Sequence, residues 1–262
     1  MILWSTSVVN VGDSNYEEGC QNMYFLNCKG CDSCATIVRF KFIFHLKLRI
    51  SLLHFASSNH FCFAYSFSFH LNLNSLSSSV QNWWHGTGSM VDFSNPYARD
   101  WWHSQMDNVL SMGVDGWKCD GTDPYAFELY PIKCYSGTMD EQTYAHLYYG
   151  DYFNYSQTQN EEALIMSRPV DGEAKEIYLD YSPRYVMYSG WVGDQDDTFD
   201  GLKAALRNYF HSSWSSQNYS NFGSDIGGYD DSVPRTKELL LRWAQLGSMS
   251  PLMENGGGGE HR

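Results

Sequence analysis

Gly113-Val-Asp-Gly-Trp-Lys-Cys-Asp-Gly-Thr-Asp-Pro124 decides the fold. Val114, Trp117 and Cys119 supply the apolar body of a short buried strand, and Gly113 and Gly116 punctuate its start. The run Asp120, Gly121, Thr122, Asp123, Pro124 then stops it abruptly. In an α/β barrel the C-terminal ends of strands carry the chemistry, so Asp120 becomes a candidate site residue. The same residues also suit an ordinary strand followed by an Asp-Gly turn. Both readings stand on this stretch alone.

Working outward, strand and helix patterns alternate. Upstream, Ser94 or Asn95 is placed to cap a helix with Pro96 at its start. Ala98, Trp101, Trp102, Gln105, Met106 and Val109 share one face of that helix, and Gly113 ends it. Trp83-Trp-His-Gly-Thr-Gly-Ser89 reads as a Gly-rich loop. Downstream, a helix is expected over about 139–159, and strands over 163–168 and 185–191. The helix over 198–213 is expected to turn Phe199, Leu202, Ala205, Leu206, Tyr209 and Phe210 inward. A short strand over 221–228, a helix from Pro234 through Leu246 and a last strand-like run over 250–255 complete the pattern. Residues 1–10 form one further apolar, β-branched run of the kind found in buried parallel strands. Strands alternating with helices predict a parallel sheet, and repeated units of this size predict a barrel. Six strands can be counted, not eight.

One segment does not fit. From Ser33 to Val91 there is no Asp or Glu, in a chain of 262 residues with 30 acidic against 17 basic side chains. Residues 35–80 mix Phe, Ser, Leu, His and Asn without a helical or strand period. Arg39, Lys41, Lys47 and Arg49 interrupt it, against the roughly 20 uncharged apolar residues a membrane helix needs. A β-hairpin insertion is one reading. The preferred one is translated non-coding sequence, which leaves its histidines without a role. The domain organisation is therefore 1–27, a barrel-strand region; 28–81, an irregular insertion; and 82–262, the rest of the barrel.

The acidic balance disfavours nucleic acid and anionic membranes as partners. Five of seven cysteines precede residue 63, and Cys28, Cys31 and Cys34 lack a second cluster to complete a zinc site. Neither a metal nor a cofactor is expected. Cys119 is read as packing rather than as a nucleophile. Asn154-Tyr-Ser and Asn218-Tyr-Ser match the glycosylation sequon, a tripeptide that also arises by chance. Aromatic residues make up 16% of the chain, nine of them Trp, which suits either an aromatic core or a sugar pocket.

Asp120, Asp194 and Asp225 each lie at an expected strand end, flanked by glycine within two residues. A barrel would gather them around one pocket. Two carboxylates across a sugar are the equipment of glycoside hydrolysis, one attacking and one protonated. Surface Asp-Gly turns remain the alternative for each.

Asp92-Phe-Ser-Asn-Pro-Tyr-Ala-Arg-Asp-Trp-Trp102, Gly113-Val-Asp-Gly-Trp-Lys-Cys-Asp120, Ser189-Gly-Trp-Val-Gly-Asp-Gln195, Phe222-Gly-Ser-Asp-Ile-Gly-Gly228 and Arg242-Trp-Ala-Gln-Leu-Gly247 resemble, in order and spacing, the signatures of glycoside hydrolase family 31. That family holds retaining α-glycosidases on a (β/α)8 TIM barrel. The resemblance covers roughly 82–255 and, more faintly, 1–27, and implies an incomplete barrel of about strands 3–8. It implies Asp120 as nucleophile and Asp194 as general acid/base. It also implies Arg168, Trp117, Lys118, Trp191, Asp225 and His261 as sugar-binding residues, with Lys118 alternatively a barrel-core ion pair. Two departures bear on the sugar. Gly121-Thr-Asp123 replaces the Met-Asn-Glu of many α-glucosidases, and the connection over 169–185 is longer than usual. The expected substrate is an α-linked hexoside, a glucoside or galactoside, with a modified hexose also open. An inactive, mis-spliced fragment and a sugar-binding pseudoenzyme are the competing readings. Localisation leans to the secretory pathway by resemblance alone, and the oligomeric state is open.

Overall fold

The computed structural model describes residues 2–6, 8–26, 81–83, 86–120, 132–170, 180–229 and 234–254. Along the chain come β1 (Ile2–Thr6), β2 (Val8–Asn10), α1 (Tyr16–Gln21), β3 (Gln81–Trp83), β4 (Gly86–Met90), α2 (Pro96–Leu110) and β5 (Gly116–Asp120). Then follow β6 (Ile132–Cys134), β7 (Gly137–Met139), α3 (Glu141–Gln159), β8 (Leu164–Ser167), a 3-10 turn at Arg184–Val186, β9 (Ser189–Gly190), α4 (Phe199–Trp214), β10 (Gly223–Asp225), α5 (Lys237–Gly247) and β11 (Leu252–Glu254).

β1, β5, β8 and β9 lie side by side and are all parallel. The ladder continues through a parallel bridge from Trp191 to Gly223, where Val192 donates its N–H to the Gly223 carbonyl at 3.0 Å, into the parallel pair β10–β11. These are the six strands read from the sequence, in the order of the chain. The arc curls. Lys118 on β5 meets Glu254 on β11 at 2.5 Å, although the two strands are four steps apart. In a flat sheet those steps would put them about 19 Å apart, at roughly 4.8 Å per strand. Among the described residues the arc does not close.

Alternation along β5 sorts its side chains. Trp117 and Cys119 face outward onto α3, while Lys118 and Asp120 face the concave side. α3 presents Tyr144, Tyr148, Tyr149, Tyr152 and Phe153 to the core, and Phe93 wedges among three of these rings at 5.5–6.2 Å. The helices begin where capping chemistry allows. The Asn95 side chain accepts from the Tyr97 N–H, with Pro96 in the first turn of α2.

Several expectations are corrected. Residues 1–10 are two strands: β1 joins the parallel arc, and β2 pairs antiparallel with β4. The Gly-rich stretch over 83–89 is largely strand, with β4 held between β2 and β3. Gly88 permits this, because a Cβ there would lie 2.3 Å from the Val9 carbonyl oxygen. Over 185–191 only Ser189–Gly190 is strand, since Tyr185 and Tyr188 rest against Phe153 of α3 instead of entering the sheet. α4 buries Gly201, Ala205, Asn208 and Ser212, while Phe199, Leu206 and Phe210 stay exposed. The contact is too close for large side chains: a Cβ on Gly201 would lie 1.9 Å from the Asp196 carbonyl oxygen. α5 begins at Lys237, because the Thr236 side chain accepts from the Leu239 N–H and leaves Pro234 outside the helix. The insertion expected at 28–81 lies outside the described residues apart from Gln81, which begins β3. Among the described residues no helix is long and apolar enough to cross a membrane.

Candidate active site

Three strand ends converge on one guanidinium. Asp120 is the last residue of β5, Arg168 directly follows β8, and Asp194 follows β9 through Gly193, whose φ of +109° suits glycine. Arg168 Nη2 donates to Asp120 Oδ1 at 3.3 Å and to Asp194 Oδ2 at 3.3 Å. Arg168 is almost wholly buried, so its charge acts on both carboxylates in a medium less screening than water. It offsets the repulsion between the two carboxylates.

The cations share an aromatic floor. Trp191 is fully buried, and the Arg168 guanidinium and the Lys118 ammonium stand 4.8 and 4.6 Å from its ring centroid. Lys118 is also the ammonium of the ion pair with Glu254, the core-pair alternative weighed for it. The Tyr148 hydroxyl, from α3, donates to the Asp120 backbone carbonyl at 3.1 Å and fixes the end of β5. Asp225 is fully buried on β10. Tyr229 follows it through Gly227 and Gly228, both with φ above +90°. The Tyr229 N–H donates to the Gln195 carbonyl at 2.8 Å, which ties this turn to the loop carrying Asp194. Burial pushes the Tyr229 phenol up, and the carboxylates of Asp194, Asp120 and Asp225 add to the shift, while Lys118 opposes it.

Asp120, Lys118, Arg168, Trp191 and Asp194 are therefore brought together, with Asp225 close by. Trp117 is not. It occupies the outer face of β5, where its Nε1–H donates to Ser156 Oγ at 3.0 Å and its ring meets Tyr152 edge-on at 5.8 Å. Strand alternation puts neighbours on opposite faces, so a residue beside Asp120 on the same face was never available at 117 or 119. Cys119 is fully buried, and burial pushes its thiol well up, which keeps it protonated. His261 and Gly121-Thr-Asp123 lie outside the described residues. Glu254 and Tyr229 belong to the group but were passed over. Glu254 ends a strand as Asp120 does, and that position was the available signal; nothing local marked Tyr229. Among the described residues no cluster of three or more His, Cys, Asp or Glu side chains is set to hold a metal.

A parallel barrel arc with carboxylates gathered at its C-terminal strand ends defines the class of site. The model of the glycosyl hydrolases family 31 TIM-barrel domain matches residues 64–262, starting inside the segment 28–81. The chain belongs to glycosyl hydrolase family 31, and its fold is that family's (β/α)8 barrel. It is 25% identical over 186 residues to an alpha-xylosidase of Emericella nidulans, covering 67% of this chain and 21% of the relative. It is 25% identical over 175 residues to an isomaltosyltransferase of Sporosarcina globispora, covering 65% and 15%. A family 31 dextranase of Flavobacterium johnsoniae, solved with glucose, superposes with a TM-score of 0.65 at 19% identity, covering 99% of this chain and 28% of that one. The chain thus spans about a fifth or less of the length of these curated relatives.

Proposed function

We propose that this barrel carries the catalytic centre of a retaining α-glycosidase acting on O-glycosidic bonds of α-linked hexosides, glucoside or galactoside. The single observation that supports it most is the shared contact of Asp120 and Asp194 with Arg168 Nη2. Two contacts of 3.3 Å to one nitrogen cap the separation of those oxygens at twice that distance. Retaining enzymes hold their carboxyl groups about 5–5.5 Å apart, inverting ones about 6.5–9.5 Å.

In this reading the Asp120 carboxylate attacks the anomeric carbon and forms a C–O bond. The glycosidic C–O bond breaks as the Asp194 carboxylic acid passes its proton to the leaving oxygen. Asp194, now ionised, takes a proton from water, whose oxygen displaces Asp120 and restores its carboxylate. Two inversions return the original configuration. Arg168 and Asp225 bind sugar hydroxyls, Trp191 supports both cations from beneath, and His261 completes the pocket as the resemblance implies. The first half-reaction also serves a transferase, in which a sugar hydroxyl replaces water; the name of the isomaltosyltransferase relative favours that second reading.

The test is turnover of aryl α-glucoside and aryl α-galactoside by the protein that carries this barrel, alongside Asp120→Asn. We expect at least about a thousandfold loss in the variant, with the product released first as the α-anomer. Equal turnover in Asp120→Asn removes the nucleophile assignment, and a β-anomer product removes retention.

A further inference from the structure

A cleft of about 770 Å³ opens between α3 and the segments 183–188 and 217–221. None of Asp120, Arg168, Trp191 or Asp194 lines it. Its size falls within the roughly 300–1,000 Å³ of small-molecule sites. Tyr185 and Tyr188 border it and are 51% and 61% exposed, a large aromatic surface to leave in water. Tyr188 is supported on one side by Phe153, parallel at 5.5 Å, so the ring is held in place with area to spare. Gln217 and Asn218 line it too and bring side-chain amides to the cleft. Asn218 sits at a φ of +50°, in the left-handed region that asparagine adopts more readily than other side-chain-bearing residues. His146 borders the cleft as well. Burial holds its imidazole below the ordinary value, so the ring is uncharged at neutral pH.

The lining is mainly aromatic and amide. Among the described residues Arg184 is its one full charge and no carboxylate lines it, in a chain of net charge −13. One cation does not suit a polyanion, and the absence of acid does not suit a cation. Exposed aromatic faces beside neutral amide donors and acceptors suit a pyranose, with its apolar face and rim of hydroxyls.

We propose that this cleft is a second carbohydrate-binding site, apart from the carboxylate group, that takes a short α-linked hexose oligosaccharide. Only the choice of an α-linked hexose rests on the glycosidase reading. Tyr188 provides the stacking face, and Gln217 and Asn218 meet hydroxyls. Such a site holds a chain on the barrel while the carboxylates work elsewhere.

The experiment is calorimetric titration of maltotriose into the full chain carrying Asp120→Asn, which keeps the probe intact. Tyr188→Ala is added in one variant and Tyr188→Phe in another, with a thermal melt to check folding. The expected result is at least a tenfold weaker dissociation constant, or the loss of one binding event of two, in Tyr188→Ala. Tyr188→Phe should bind as the parent does. Unchanged binding in Tyr188→Ala, or no binding by the parent, overturns the proposal. Failure of the glycosidase reading shows elsewhere, as absent turnover in the wild-type protein, and leaves the Tyr188 comparison readable.

Discussion

Arg168 holds Asp120 and Asp194 with one nitrogen, and its removal leaves the Asp120 carboxylate without its buried cation in a partly buried site. Arg168→Met is expected to cost about 2–3 kcal/mol in urea unfolding, toward the range seen when one partner of a buried ion pair is lost. Turnover should fall with it. Arg168→Lys should regain part of the stability but little of the turnover, because an ammonium is a point charge without the guanidinium's fork. Trp117 makes the opposite case. Its neighbour in sequence is central and it is not, since its indole belongs to the α3 interface. Trp117→Phe keeps a ring beside Tyr152 and deletes the bond to Ser156, so a loss of about 1 kcal/mol with KM unchanged is expected. A raised KM in steady-state kinetics would return Trp117 to the pocket. At this scale the sequence was informative about identity. Asp120 and Asp194 stand out by residue type at expected strand ends, whereas Arg168 is marked only by the family resemblance. Facing was harder: the signature around Asp120 includes Trp117 and Lys118 alike, and only strand alternation separates them.

Elements were legible where local chemistry specifies them. Asn95 before Pro96 marks the start of α2, and the side chain does accept the Tyr97 N–H at 3.0 Å. Where tertiary contact decides, the pattern misled. In α4 the large apolar residues look inward by spacing, yet the small face 201, 205, 208, 212 is the buried one. At Gly201 close approach to the Asp196 backbone excludes a side chain, and Asn208 is buried because its amide donates to the Val192 carbonyl. The cap of α3 gives a test with a pH signature. The Asp140 side chain accepts from Thr143, whose N–H lies 2.7 Å away, and Thr143's side-chain and backbone bonds hold the carboxyl below its ordinary value of 3.8. A depressed native value stabilises the fold above the unfolded-state value, and that part is lost as pH falls through the native one. Asp140→Ala should therefore cost about 1 kcal/mol at pH 7. The gap between variant and parent should narrow once pH drops below 3.8, as followed by urea unfolding at several pH values. A gap that stays constant down to pH 2 would show that the cap acts without its charge.

On the scale of the molecule, the parallel order of six strands was legible from strand-helix alternation, but curvature was not, because no local pattern reports which distant faces meet. The Lys118–Glu254 pair, 136 residues apart in sequence, carries that information. It crosses the hollow of the arc from the second strand to the sixth, so it can form only if the sheet curls. The pair is also partly buried, and each member alone would be a charge in a poor solvent. Lys118→Met and Glu254→Gln should each destabilise, and the double variant should cost less than the sum of the two. We expect a coupling energy of about 1–3 kcal/mol from the double-mutant cycle, in the range found for residues in direct contact. A flat sheet, or a Lys118 turned to the outer face with Trp117, predicts a coupling near zero. The cycle reads barrel curvature in solution without substrate or turnover. It therefore separates a correctly curled barrel with an idle site from a chain in which the strand ends never meet.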